Sequence, residues 1–510
     1  MNFSVRFISL VLILIAVTIS GLSCLRLDEI SDLTLEESNP FLAFPLATVE
    51  VSSDDFIEEL QKTADVRLNE DNIYTAFFQS DPFVQNKQDL FPKTTFGLPI
   101  PILDSVVSLP VPILEETSLS KGILKGDQLI FALNSNESDE VTVTMKIDEL
   151  TKNGEVFNTT FSIPFDGEAP SAITTEPIDL DGFEVDFSRQ FLTLQYDARN
   201  ESGDRIVLPI SFAQITAFDF SYLEGNIATS EIPLGVQTID IDIQDTLIAG
   251  NYQFENPKIH FKIANSFGIP IGIRVKEVFI IGANLERKRL ESSLFSGIIN
   301  LQFPQFDQQG LIISDQITFD KNNSNVLAVA RDDITSIEYD LDVIINPDNL
   351  KDALFFVLDS SRAVVNAEVE MSFNATVENV TVQKSVNIDP IGLDTLSYLR
   401  LKLVVENGIP FSFEPSLLLE DSVSGNSLRL TSQAMSSIVP APTDMSGKVV
   451  EVSQNTLYFE LNEQQLEQVG LMNLLTVELK MQSPEQGNLP AIIQPGQVMK
   501  VRVGAEANFK

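Results

Sequence analysis

Apolar and polar residues alternate along most of this chain. Val141-Thr142-Val143-Thr144-Met145-Lys146-Ile147, Ile239-Asp240-Ile241-Asp242-Ile243, Pro257-Lys258-Ile259-His260-Phe261-Lys262-Ile263 and Val501-Arg502-Val503 all repeat with a period of two. That period puts one side of an extended segment in a core and the other in water, so these runs predict β-strands. Polar spacers such as Asn134-Ser135-Asn136-Glu137-Ser138-Asp139 and Asp320-Lys321-Asn322-Asn323-Ser324-Asn325 separate them. The rhythm is that of antiparallel sandwiches, without the long helical crossovers of a βαβ chain. Two short helices are expected: one where Asp54-Asp55 precede Phe56-Ile57-Glu58-Glu59-Leu60, and one where Asn462 is followed by Gln465 and Leu466. In both, a side-chain oxygen stands where it can accept an orphan N–H of the first turn. The expected fold is all-β, with tandem antiparallel β-sandwich modules and a few short helices.

The first residues break this rhythm. Arg6 precedes an apolar run from Ile8 to Ile19, a length suited to the core of a signal peptide and too short to span a bilayer. Ser20, Gly21 and Ser23 then lead to Cys24, the only cysteine in the chain. A disulfide-stapled secreted domain would carry an even set of cysteines. The stretch Gly21-Leu22-Ser23-Cys24 resembles instead the lipobox of bacterial lipoproteins, which implies cleavage after Ser23 and a covalent lipid (palmitate-type acyl chains) on Cys24. Several acyl chains hold a protein to a membrane where one does so only marginally. The plainer alternative is an ordinary secretory signal that leaves Cys24 as a free thiol.

Composition narrows what hangs from such an anchor. Hydrophobic residues make up 44% of the chain and mean hydropathy is +0.10, enough to build substantial cores. With Asp+Glu 73 against Lys+Arg 33, the net charge of -40 repels phosphate backbones, so no nucleic-acid partner is expected. Alternating strands also characterise membrane β-barrels, but the 25 prolines and the absence of tryptophan argue against one.

Internal similarity points to modules. Ile263-Ala264-Asn265-Ser266-Phe267-Gly268-Ile269-Pro270-Ile271 is echoed by Val405-Glu406-Asn407-Gly408-Ile409-Pro410-Phe411, and more loosely by Tyr196 through Asn200 to Leu208-Pro209-Ile210. Each reads as a strand ending at Asn, a turn, and a proline opening the next strand. Together with Asn39-Pro40-Phe41-Leu42-Ala43-Phe44-Pro45-Leu46, Asn323-Ser324-Asn325-Val326, Tyr339 and Asn346-Pro347-Asp348, these blocks resemble a family of uncharacterised outer-membrane lipoproteins of the Bacteroidetes phylum. The resemblance implies an outer-membrane location and supplies no active site. Asp28-Glu29, soon after Cys24, resembles that phylum's signal for export to the cell surface, which slightly favours the outer over the periplasmic face. The Asn-Phe-Gly-Ile-Pro block also resembles the sandwich of late-embryogenesis (LEA) desiccation proteins, so each module is expected to be Ig-like or LEA-like.

Candidate chemistry is sparse. His260 is the only histidine, so neither a Ser-His-Asp or Cys-His pair using Cys24 nor a multi-histidine zinc site can be assembled. Within its alternating run His260 reads as a solvent-facing or internally satisfied strand residue. Asp320, Asn322 and Ser324 place oxygen side chains at alternate positions and form a weak calcium candidate, although the glycine and closing Glu of an EF-hand loop are missing. Asp240, Asp242 and Asp245 read as a solvated strand face. Asp104-Ser105-Val106, Asp245-Thr246-Leu247, Asp394-Thr395-Leu396 and Asp421-Ser422-Val423 resemble the phylum's O-glycosylation triplet.

The expected order is a signal peptide over 1–23, a tether and lead-in segment over 24–50, sandwich regions over 51–215 and 216–395, and a C-terminal sandwich over 396–510. The expected function is that of a lipid-anchored accessory or scaffold protein, not an enzyme, binding other envelope proteins. A carrier of lipid or another apolar ligand is the alternative, and a glycan-acting enzyme using two carboxylates comes third.

Overall fold

The computed structural model describes residues 41–509, apart from 63, 96–98, 111–116, 190, 242–250, 331–333, 389–395, 433–436, 446 and 471. The fold is all-β, as expected, and built from antiparallel sheets. The helices Ser53–Leu60 and Glu463–Val469 lie where the sequence places them. Asn462 caps the second: its Oδ1 accepts the Gln465 N–H at 3.0 Å, and the Asn462 N–H donates to Gln465 Oε1 at 2.9 Å. Among the described residues no helix is long and apolar enough to cross a membrane.

The chain forms two compact units, and neither is continuous in sequence. Among the described residues, one, the terminal unit, takes those of 41–76, 251–255 and 372–509; the other, the central unit, takes those of Phe77–Ile241 and Asn256–Met371. The linear order expected above is therefore corrected. Residues 41–50 belong to no tether: Phe41–Ser52 is a strand that pairs antiparallel with Val498–Phe509, from Phe41 opposite Asn508 to Ser52 opposite Val498. The boundaries at 215 and 395 fall inside sandwiches, because Phe220–Asn226 completes the sheet begun by Ser118–Leu124 and Asn374–Asn387 pairs with Leu474–Gln482.

In the terminal unit one sheet runs Phe41–Ser52, Val498–Phe509, Leu396–Asn407, Ser453–Glu460. The other runs Asn251–Phe254, Asn374–Asn387, Leu474–Gln482, Ser412–Glu420, Ser427–Thr431. Strict alternation builds its core: Leu399, Leu401, Leu403 and Val405 are buried, as are Leu475, Val477, Leu479 and Met481, while Arg400, Lys402 and Lys480 on the opposite faces form ion pairs.

The central unit holds two sandwiches. The leading one centres on Val141–Lys152 and Phe191–Arg199 in one sheet and Gln128–Ser135 and Ser211–Ile215 in the other. The trailing one centres on Ile271–Gly282 and Ile334–Ile345 in one sheet, and on Lys258–Asn265 between Arg362–Ser372 and Ile313–Phe319 in the other. Three strand prolines sit at sheet edges, where a missing N–H breaks no ladder: Pro45 in Phe41–Ser52, Pro101 in Ile100–Ile102 and Pro233 in Ser230–Asp240.

The repeated block has a shared physical cause. Asn265 ends its strand and is buried; its Oδ1 accepts the Phe267 N–H at 2.9 Å. Asn407 does the same for Ile409 at 2.9 Å, and its Nδ2 donates to the carbonyls of Phe411 at 3.0 Å and Val439 at 2.9 Å. One buried amide thus satisfies the backbone of a turn that leaves a sheet. The looser third copy differs, because Asn200 bonds the Asp204 N–H in an ordinary turn at 2.9 Å.

A candidate binding cleft beside a buried charge clasp

The most distinctive site in the central unit lies where its two sandwiches meet, around the short helix Lys87–Leu90. Phe83–Asn86 leads into this helix and pairs with Arg362–Ser372 of the trailing sandwich, Arg362 opposite Asn86. The Asn86 N–H donates to Asp89 Oδ2 at 2.7 Å, which starts the helix. Lys87 then points toward the leading sandwich and is only 2% exposed. Its ammonium pairs with the Asp219 carboxylate, donates to the Phe220 carbonyl at 2.8 Å and lies 3.2 Å from Asp359.

Asp359 also pairs with Lys125 at 2.5 Å, and these two lysines, Lys125 foremost, hold its carboxyl below the usual carboxylate range. Asp127, fully buried, accepts the Asp219 N–H at 3.1 and 3.2 Å. Burial pushes its carboxyl up to about 7 against the hydrogen bond that stabilises the anion. A buried ammonium is tolerable only with such partners, since an unpaired charge in that position is strongly destabilising.

A strand shared by the two sandwiches reinforces the clasp. Phe355–Leu358 pairs with Phe220–Asn226 of the leading sandwich, Phe356 opposite Glu224. On its other side Phe356 exchanges backbone hydrogen bonds with Gly268, at 3.0 and 3.3 Å. Gly268 lies in the repeated block, and a Cβ there would meet the Phe356 ring at 2.2 Å, so only glycine allows this approach.

A cleft of about 500 Å³ opens beside the same helix, within the size range of small-ligand sites. Leu90, Ile227, Ile232, Ile269 and Ile345 supply its apolar wall; Gln85, Asp89, Thr229 and Ser230 supply polar groups. Thr229 Oγ1 donates to the Asn346 carbonyl at 2.7 Å, and Asn346 Nδ2 donates to the Ile227 carbonyl at 2.8 Å, which fixes that wall. Behind Leu90 and Ile345 the trailing core leaves only about 10 Å³, space for no more than a water molecule.

The residues singled out from sequence fall elsewhere. Cys24, Asp28, Glu29, Asp242, Asp245, Thr246, Asp394 and Thr395 lie outside the described residues. Asp320, Asn322 and Ser324 come together in a self-bonded turn. Asp320 Oδ1 accepts the Asn322 N–H at 2.8 Å, its Oδ2 accepts from Asn322 Nδ2 at 3.2 Å, and Ser324 Oγ donates to the Asp320 carbonyl at 2.7 Å. The Asn322 N–H is the main reason the Asp320 carboxyl sits below the usual range. Among the described residues no three His, Cys, Asp or Glu side chains cluster as a metal site. Ser105 and Ser422 are exposed.

His260 is buried and satisfied, the second of its two expected readings. Its Nε2 lies 2.9 Å from Glu370 Oε2, and Nδ1 lies 2.9 Å from both Thr318 Oγ1 and Gln316 Nε2. His260, followed by Lys258, pulls the Glu370 carboxyl down to about 2 against its burial. Sequence reading missed the Lys87 clasp. The one local signal was Asp219, an acid set between Phe218 and Phe220 in an otherwise apolar stretch.

No known family profile matches the chain, and no curated protein matches it. Among solved structures, a protein described as secreted from Parabacteroides distasonis aligns over 92% of this chain and 99% of its own, at 8% identity and a TM-score of 0.32. A chain from the structure of infectious bursal disease virus, Gx strain, aligns over 88% of this chain and 82% of its own, at 9% identity and a TM-score of 0.15. The tandem CBM22 domains of Paenibacillus barcinonensis Xyn10C align over 56% and 86%, at 9% identity and a TM-score of 0.16.

Proposed function

We propose that this protein is a non-catalytic scaffold of the bacterial cell envelope, anchored in the outer membrane through lipid on Cys24 and presenting sandwich surfaces to other envelope proteins. The observation that carries this reading is the junction in the central unit. The strand Phe355–Leu358 is hydrogen-bonded toward both sandwiches, and Lys87 ties Asp219 to Asp359 across the same place. Tandem modules joined by a flexible linker would need neither device; modules that must hold partners at a fixed spacing need such a join. Lipid anchoring would then concentrate the platform at one membrane face.

A second reading, a carrier of lipid or another apolar ligand, draws support from the cleft of about 500 Å³ with its isoleucine wall. The dry core behind that wall limits a ligand to the cleft itself. The clasp lends no support to a glycan-acting enzyme, because Asp127, beside Asp219, has no exposed face for a sugar.

A mild-detergent pull-down from native membranes, comparing a C-terminally tagged chain with its Cys24→Ala variant, tests the scaffold reading. Stoichiometric envelope proteins that are lost with Cys24→Ala are expected. Recovery of the protein alone with bound lipid would replace the scaffold with the carrier.

A further inference from the structure

Long sheet edges invite pairing with another chain, and this protein blunts most of its own. The edge strand Phe41–Ser52 carries Pro45, a register shift and Glu50, and Ser230–Asp240 carries Pro233, a register shift, Glu231 and Asp240. The free part of Asn374–Asn387 carries Lys384. One long edge of the leading sandwich keeps such devices, Glu155 and a register shift between Val156 and Phe157, to its first residues and leaves the rest unblunted. Glu155–Ile163, nine residues long, pairs with Val141–Lys152 on one side only. From Phe157 to Ile163 that pairing runs without a break, opposite Ile147 to Val141. Val156 to Ile163 contains neither a charge nor a proline, in a chain whose net charge is -40. Among the described residues, no further backbone hydrogen bond occupies its outer side.

Over the five residues Phe157 to Phe161, the order of residue types on this edge, aromatic or polar, is palindromic. Reversed about Thr159, Phe157 falls on Phe161 and Asn158 on Thr160. Phe157 is buried against Phe183 and Phe161 is half-buried against Phe131, on the core side; Asn158 and Thr160 face solvent. Antiparallel pairing of two copies would therefore set aromatic against aromatic on the inner face and polar against polar on the outer face, the self-complementarity that a two-fold interface requires. Repulsion between two acidic chains is weakest along an uncharged strip.

We propose that Glu155–Ile163 is a self-association edge, pairing antiparallel with the same strand of a second copy about Thr159 and joining two leading sandwiches into one continuous sheet. The proposal is independent of the anchor and of any other envelope protein, because it concerns the purified chain alone.

Sedimentation velocity of the full chain in mild detergent tests it across a concentration series. A single strand pair is a small interface, so dimer should emerge at concentrations on the order of tens of micromolar. The variant N158E/T160E places like charges directly opposite across the proposed pair, while within each copy the carboxylate introduced at position 158 sits beside Lys146. It should remain monomeric with an unchanged circular dichroism spectrum, although the hydrogen bond between Thr160 and Thr144 is lost. N158E/T160K places unlike charges opposite instead and should restore the dimer. A wild-type chain that stays monomeric throughout, a dimer that survives N158E/T160E, or a failure of N158E/T160K to recover association would each overturn the proposal.

Discussion

Two carboxyls, Asp127 fully buried and Glu370 half-buried, give the central unit opposite responses to pH. Asp127 is raised from an ordinary 3.8 to about 7 by burial. An unfolded chain releases this proton near pH 4, whereas the folded one keeps it to about 7, so folding loses stability as pH rises between those values. The penalty reaches about 4 kcal/mol above pH 7, by the usual conversion of a pKa shift. Asp127→Asn keeps an acceptor for the Asp219 N–H and cannot ionise. Its stability relative to wild type, measured by urea unfolding of the full chain, should improve by about 2–3 kcal/mol between pH 5 and pH 8. Glu370 is lowered from 4.5 to about 2, chiefly by His260, so its contribution is complete above pH 4.5 and disappears as pH falls toward 2. Glu370→Gln should cost up to about 3 kcal/mol at pH 6 and almost nothing at pH 2. A constant difference across that range would mean that the carboxylate does not exchange charge with its partners on unfolding.

At the scale of elements, the repeated Asn block and the shared strand carry the argument. Asn407→Ala would leave the Ile409 N–H and the carbonyls of Phe411 and Val439 without their partner. The expected loss is about 2–4 kcal/mol, larger than for one ordinary hydrogen bond, because the freed groups stay buried. Thermal melting of the variant, with the more exposed Asn200→Ala as comparison, checks this; equal losses would remove the distinction between the buried copies and the loose one. Sequence alternation made the strands and their inward faces legible, since a period of two needs only neighbours along the chain. The sequence reading passed over the Asn-Gly turn after Lys152, although Asn153 and Gly154 adopt φ of 54° and 82°, the left-handed pair of a tight hairpin. The clasp was not legible. Lys87 finds Asp219 and Asp359 only after three separate segments meet, and a lysine between Asn86 and Gln88 carries no local mark of burial.

Over the whole molecule, the closure of Phe41–Ser52 on Val498–Phe509 shows where local reading ends. Alternation marks both segments as strands, but nothing within either specifies a partner more than four hundred residues away in the chain. Global charge is legible in full, and it carries its own consequence. Many of the cations stand in cross-strand pairs on outer sheet faces, such as Arg274 with Glu231, Lys276 with Asp342 and Arg287 with Glu338, each at 2.6 Å. Pairs with an exposed partner contribute only about 0–1 kcal/mol each. With 73 acids against 33 bases, every such pair still leaves an excess of forty negative charges, which repel one another over about 10 Å at 0.1 M salt. Repulsion of the excess therefore outweighs attraction within the pairs, and salt should stabilise. Raising sodium chloride from about 0.02 to 0.5 M, at which the screening length falls below about 5 Å, should raise the melting temperature by several degrees at pH 7. Calorimetry decides the sign: a fall in melting temperature over that range would show that the cross-strand pairs, and not the net charge, set the electrostatic balance of the fold.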